Sequence, residues 1–290
     1  MSDEQRSRRG SAQPERPDRE IDRDPSIENV PAAFERAIDE GAERCSRSWL
    51  VLIATGAIGG FDVGVGVLVL LVVREATGSV LLGALAFPIG FIALTLGNSE
   101  LFTENFFVPV AAVIARRVRI RQLVRLWVVT LVANLVAGWI VACLIVTALP
   151  DLATAASDAS RDYLDPGIGT QSAASALLGG MVITLMTWLL HSTQSMAAKL
   201  VATYALAFAL VAGPLAHSIV GSIELFAALI GGADFGYADW LGFVSWTGLL
   251  NLIGGVGLVT TLRLVQVGWS EIESEQAVAE ETAPSERSSE

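Results

Sequence analysis

A long apolar run near residue 100 is broken in mid-course by Gly97-Asn98-Ser99-Glu100-Leu101-Phe102-Thr103-Glu104-Asn105. The flanks, residues 80–96 and 106–115, carry no charge. Each is shorter than the roughly 20 apolar residues that a helical membrane crossing needs. Together they make one crossing with a polar, non-helical elbow near its middle. Such backbone persists in a bilayer only where protein buries it or where it lines a wet cavity. Broken helices of this kind mark substrate sites in transporters.

A second interruption, Gly213-Pro214-Leu215-Ala216-His217-Ser218, divides residues 200–230 in the same way. Apolar runs place six spans at about 48–73, 80–115, 123–149, 173–191, 200–230 and 241–267. Each break falls in the second of three spans, and three spans plus three give the halves opposite topology. The expected fold is all-α: six transmembrane helices as two inverted three-helix repeats, with helices 2 and 5 broken. A Glu-Leu-Phe triplet follows each break, at Glu100-Leu101-Phe102 and Glu224-Leu225-Phe226, though at different offsets.

Charge is concentrated outside these spans. Of the net −11, residues 1–47 supply 12 acidic and 9 basic side chains, and residues 270–290 supply 7 acidic and 1 basic. The expected organisation is an acidic cytoplasmic tail over 1–47, a six-span domain over 48–267 and a disordered acidic tail over 268–290. Within the first tail, apolar spacing behind Pro31 predicts a short amphipathic helix near 30–43, lying on the membrane surface. The first apolar stretch begins only near Ser48, behind charge, which does not fit a cleavable signal peptide. Cys45 and Cys143 give no disulfide framework. The loop after span 2 holds Arg116, Arg117, Arg119, Arg121 and Arg125, and basic loops stay inside. Lys199 and Arg263 fall on the same side, so both termini are expected in the cytoplasm, with the protein in the cell membrane. Trp49, Trp127, Trp240 and Trp269 fall near span ends, where aromatic belts form.

At these residues the chain resembles the formate/nitrite transporter family, over roughly residues 30–267. The resemblance is carried by Glu100-Leu101-Phe102-Thr103-Glu104-Asn105, by His217-Ser218-Ile219 and by Asn251-Leu252-Ile253-Gly254-Gly255, in that order. It implies an aquaporin-like fold, a homopentamer in the lipid bilayer, and a separate pore in each protomer. By position, His217 would be the central histidine and Thr103 the loop threonine facing it. Phe87 and Leu210 would form the outer constriction, Phe91 and Leu101 the inner one, and Asn251 would be a polar residue near the histidine. Three departures mark an outlying branch. Glu104 stands where better-known members carry glycine, Val220 and Gly221 stand where an asparagine is usual, and residues 165–173 lack the usual lysine at the outer mouth.

The same residues can be read without the resemblance. An ionisable group deep in an apolar span is costly and functional by default. The unperturbed pKa of a histidine, about 6.5, suits His217 to protonating a weak-acid anion. The bland alternative is a neutral imidazole bonded between helices. Thr103 can offer its hydroxyl to a solute or cap the second half of span 2, and half-helix N-termini favour anions. Glu100 reads best as structural, paired with arginine. Glu104, Asp62 and Glu224 divide between a selectivity or proton-path role and a structural one. His191 reads as interfacial. Gly56, Gly59, Gly60, Gly64 and Gly66 read as helix-packing positions.

The expected function is transport of a small monovalent anion and its conjugate acid, with the central histidine assisting protonation. Nothing points to a nucleic-acid partner, a cofactor, a metal or an enzyme. An aquaporin-type neutral-solute channel ranks lower because paired Asn-Pro-Ala motifs are missing. An intramembrane enzyme lacks a nucleophile or ligand set, and a non-transporting scaffold or sensor would put the function in the acidic tails.

Overall fold

The computed structural model describes residues 30–282; the predicted tails at 1–29 and 283–290 lie outside the described residues. Every regular element among the described residues is helical. Five helical stretches are long and apolar enough to cross a membrane: Trp49–Thr77, Val80–Gly97, Ile120–Ala148, Thr170–His191 and Tyr237–Val267. The remaining crossing is assembled from two shorter apolar helices, Met196–Ala212 and Ser218–Ile230.

In chain order, α1 (Val30–Ser46) precedes α2 (Trp49–Thr77), the first span. The second span comprises α3 (Val80–Ala86), α4 (Pro88–Gly97), a 3-10 turn (Phe102–Phe106) and α5 (Val108–Ile114). Two separate causes divide it. Pro88 opens α4 and cannot donate a main-chain bond, and Asn98 ends that helix in the left-handed region at φ 51°. α6 (Ile120–Ala148) is the third span, α7 (Leu152–Leu164) a connector, and α8 (Thr170–His191) the fourth span. The fifth is α9 (Met196–Ala212) plus α10 (Ser218–Ile230). The sixth is α11 (Tyr237–Leu252), a π-helical stretch (Ile253–Thr260) and α12 (Thr261–Val267), before α13 (Trp269–Thr282).

The inverted repeat shows most clearly in its glycines. A Cβ on Gly59 would stand 2.2 Å from the Glu100 carbonyl oxygen, and one on Gly60 would stand 2.6 Å from that of Asn134. The second half repeats this. A Cβ on Gly179 would stand 2.4 Å from the Ala216 carbonyl oxygen, and one on Gly180 would stand 2.1 Å from that of Asn251. Small residues let the spans touch backbone to backbone, which drives helix association in lipid. The equivalence therefore pairs Glu100 with Ala216. The two Glu-Leu-Phe triplets are not repeat partners.

Both sequence ends of the described chain gather at one end of the bundle. α1 packs Phe34, Ala37 and Ile38 against Phe107, Val108 and Ala111. It therefore rests on the second half of span 2 as well as presenting a polar face. The expected disorder over 268–290 does not hold for 269–282. There α13 buries Ile272 in the same cluster, and Gln276 donates to the Ile114 carbonyl at 2.8 Å. Its acidic residues find the arginine cluster: Glu280 pairs with Arg116 at 2.6 Å and Glu275 with Arg117 at 3.8 Å. Local composition, read as solvated, hides those partners.

The acidic connector after span 3 also differs from a plain loop. Leu152, Ala155, Ala156 and Ala159 form one buried face of α7 against the span bundle, with its aspartates outward. Of the four belt tryptophans, Trp49 and Trp269 are exposed. Trp127 and Trp240 are half-buried, and their indole N–H groups donate inward to the Asn105 carbonyl at 2.8 Å and to Ser222 Oγ at 3.0 Å.

Candidate functional site

The two breaks meet. Thr103 Oγ1 lies 2.7 Å from His217 Nε2, and both residues are fully buried. His217 is the N-cap of α10, with extended backbone, and its Nδ1 accepts the Val220 N–H at 3.2 Å. Because an N–H donor occupies Nδ1, the neutral ring carries its proton on Nε2 and donates it to Thr103. One lone pair of the Thr103 oxygen is thereby used, and its own hydroxyl proton is free to point elsewhere. A second proton on this histidine would have to displace the helix cap.

Each break is held by an asparagine in the same way. Asn251 Oδ1 accepts the Ser218 N–H at 2.9 Å, while its Nδ2 donates to the carbonyls of Ala176 at 2.7 Å and Ala216 at 2.9 Å. Asn134 does the equivalent work in the first half. Its Oδ1 accepts the Phe102 N–H at 2.8 Å, and its Nδ2 donates to the carbonyls of Gly56 at 2.6 Å and Glu100 at 2.9 Å. One side chain thus satisfies two main-chain groups that the break has freed, as a bilayer interior requires, and ties them to a carbonyl of a neighbouring helix, Gly56 in α2 or Ala176 in α8. Asn251 lies beside the histidine as a clamp on its backbone. The capping bonds also engage the Ser218 and Val220 N–H groups, so the α10 terminus is not an open anion nest. Thr103 does not cap α5; its hydroxyl is turned to the histidine instead.

Around the pair the surface is apolar. Phe91 meets the His217 ring edge-on at 6.5 Å between centroids, and Phe87 lies 5.6 Å from Phe91. Leu101 and Leu210 belong to the same buried cluster.

A family model described as formate/nitrite transporter matches residues 31–265, nearly all of this architecture. The chain belongs to the formate/nitrite transporter family. Among curated relatives, the Inner membrane protein YfdC of Escherichia coli (strain K12) is 26% identical over 246 residues, 82% of this chain and 77% of that protein. The Uncharacterized transporter YrhG of Bacillus subtilis (strain 168) is 26% identical over 239 residues, 78% of this chain and 89% of that one. A solved structure described as an FNT family ion channel shares the fold at TM-score 0.68 and 18% identity, covering 79% of this chain and 96% of that chain. A structure described as a pentameric formate channel with formate bound matches at TM-score 0.61 and 20% identity, covering 74% and 95%. The protein is therefore a multi-pass membrane protein of a family of transporters and channels.

Within this formate/nitrite transporter chain the acidic candidates separate. Glu100 is buried and pairs with Arg47. Asp62 is half-buried on α2 and accepts Ser99 Oγ–H at 2.6 Å, steadying the elbow. Glu224 sits two turns beyond His217 on α10, bonded to the Tyr163 hydroxyl of α7 and near Arg74. Neither Asp62 nor Glu224 touches the histidine–threonine pair.

Glu104 differs from the other three. It is only 5% exposed, and that exposure opens on a cavity of about 640 Å³ at the α1 end, which Glu100, Ser99, Thr95 and Thr187 also line. α1 forms much of the cavity wall. Arg44 donates to Asn105 Oδ1 at 3.0 Å and pairs with Glu40, which accepts from His191 Nε2 at 3.0 Å. Burial would raise the Glu40 carboxyl, but the His191 hydrogen bond and the Arg44 charge outweigh it and hold the group well below the usual carboxylate range.

Sequence reasoning missed Asn134, and it missed the Thr95–Thr203 hydroxyl contact of 3.2 Å between α4 and α9. Asn134 had a signal: the Gly59-Gly60 and Gly179-Gly180 pairs align the repeats and set it opposite Asn251.

Proposed function

We propose that the protein carries a small monovalent anion of the formate or nitrite type across the cell membrane as its conjugate acid. The observation that supports this most is the Thr103–His217 pair at the meeting of the two breaks, enclosed by apolar side chains. In this reading Phe87 with Leu210, and Phe91 with Leu101, are the outer and inner constrictions. An unpaired charge in such a passage is expensive, so a hydrated ion is rejected and the neutral acid passes. The Thr103 hydroxyl offers a hydrogen bond to the solute at the midpoint. His217 assists protonation by holding that hydroxyl in its donating orientation. Asn251 keeps the histidine in place from behind.

Each protomer of a homopentamer would hold one such pathway, consistent with the pentameric formate channel whose fold it shares. The arginine cluster at 116–125 would lie in the cytoplasm with both termini.

The test is uptake of labelled formate, nitrite, acetate or hydrosulfide into proteoliposomes across a range of pH. At fixed total solute, flux of at least one of these should rise as pH falls. Rapid water or glycerol flux without flux of any of the four would move the protein to a neutral-solute reading.

A further inference from the structure

Resting on that reading, one question is where the transported anion obtains its proton. The His217 ring is a poor source: its Nε2 proton is bonded to Thr103 and its Nδ1 is engaged by the cap of α10. Thr103 is a hydroxyl that can donate a hydrogen bond but does not release a proton at physiological pH. The proton must come from a group beside the pair that faces water on one side.

Glu104 meets those conditions by position. It is the residue after Thr103, inside the 3-10 turn Phe102–Phe106, and its side chain lines the cavity at the α1 end. The charged groups that share the cavity are largely committed to one another. Arg44 pairs with Glu40 and bonds Asn105, and Arg47 pairs with Glu43 and Glu100. His191 bonds Glu40, Asp39 pairs with Arg117, and Arg36 donates to the His191 carbonyl. Lys199 lines the cavity from α9. Arg44 exerts an attraction on Glu104, and Glu40 and Glu100 a repulsion, without any of these ion pairs including it. Glu104, whose carboxyl also bonds the Leu101 backbone, is thus the cavity carboxyl that stands outside these ion pairs and is left to exchange protons with what enters.

We propose that Glu104 is the proton donor and acceptor on the α1 side of the pathway. An anion entering the cavity takes the proton: the Glu104 O–H bond breaks, an O–H bond forms on the anion, and a neutral acid moves on to Thr103. The carboxylate regains a proton from cavity water. In the reverse direction it receives the proton of the arriving acid. Glycine at this position could do neither.

Two measurements on the reconstituted full chain test this, with Glu104→Gln keeping size and Glu104→Gly removing the side chain. The first is infrared difference spectroscopy between acid and neutral pH, with and without formate. Wild type should show a protonated-carboxyl band that is absent from both variants and perturbed by formate. Superposable spectra of wild type and Glu104→Gln overturn the proposal whatever the flux. The second is formate flux against pH. Glu104→Gln should lose roughly tenfold or more near neutral pH, the scale of a lost proton-transfer group, and should then track the concentration of free neutral acid. An unchanged profile overturns the proposal. If wild type moves none of the four anions, the transport reading fails, and the carboxyl band still decides the protonation of Glu104. Native-like thermal unfolding of either variant shows that a loss is not misfolding.

Discussion

The break in each half rests on one amide side chain. Removing Asn251 would leave the Ser218 N–H and the Ala216 carbonyl without these partners inside the membrane, and would release the tie to the Ala176 carbonyl of α8. Buried unsatisfied groups cost about 1–3 kcal/mol each, and some relaxation will recover part of the sum. Asn251→Ala is therefore expected to lower stability by roughly 3 kcal/mol, read as a drop in thermal midpoint in detergent. Asn134→Ala should do the same, because its three bonds match one for one. The chemistry also predicts which rescue fails. Aspartate supplies the acceptor for Ser218 but no donor for two carbonyls, so Asn251→Asp should resemble the alanine variant. A stable aspartate variant would mean that the bonds to the carbonyls carry little weight.

At the level of elements, α1 is fastened as much by charge as by its apolar face. Glu40 stands between Arg44 and His191, and its carboxyl is held below the usual range by them despite burial. A depressed folded pKa means that the fastening is fully present above the unfolded value, about 4.3, and is lost as pH falls through the folded one. Hydrogen exchange over residues 30–46 should be slow at neutral pH and accelerate only in strong acid, with Glu40→Gln fast throughout. Equal protection in wild type and variant at neutral pH would assign the anchoring to the apolar face of α1 and its other polar contacts, such as Asp39–Arg117 and Arg44–Asn105. Legibility differed in the same physical way from element to element. The breaks at 97–105 and 213–218 were readable because Gly, Pro and Asn change the backbone locally. α7 was not, because its buried face is mostly alanine and its aspartates dominate any reading of composition. The π-helical stretch at Ile253–Thr260 has no residue signature; it shows only where Gly255 passes Thr184 and Phe106, and where Thr260 Oγ1 donates to the Phe106 carbonyl at 2.9 Å. The order in α13 depended on Arg116 and Arg117, more than a hundred residues away in the chain.

Across the whole molecule, the two inverted halves meet at a seam that is apolar around the central pair, with polar links such as Thr95–Thr203, Tyr204–Leu85 and Arg116–Glu280 spread along it. Lipid is as apolar as that seam, so water exclusion contributes little to holding the halves together, and close packing contributes most. The Thr103–His217 bond lies in the seam, and its loss should affect the two properties of the protein unequally. Thr103→Val leaves one buried ring N–H unmatched, a cost of about 1–3 kcal/mol, while the packed seam around Phe91, Leu101 and Leu210 stays in place. The assembled fold should survive with a modest fall in thermal midpoint. Transport should not, because the hydroxyl that the proposed pathway sets before the solute is gone. Flux in proteoliposomes is expected to fall roughly tenfold or more, the worth of one or two hydrogen bonds in an unhydrated passage. Thr103→Ser restores the hydroxyl without the methyl and separates the two roles. It should keep flux within about threefold of wild type, since the bond to His217 can reform. If serine loses as much flux as valine, Thr103 acts through the shape of its methyl group in the constriction, and the hydrogen bond to His217 serves only to join the halves.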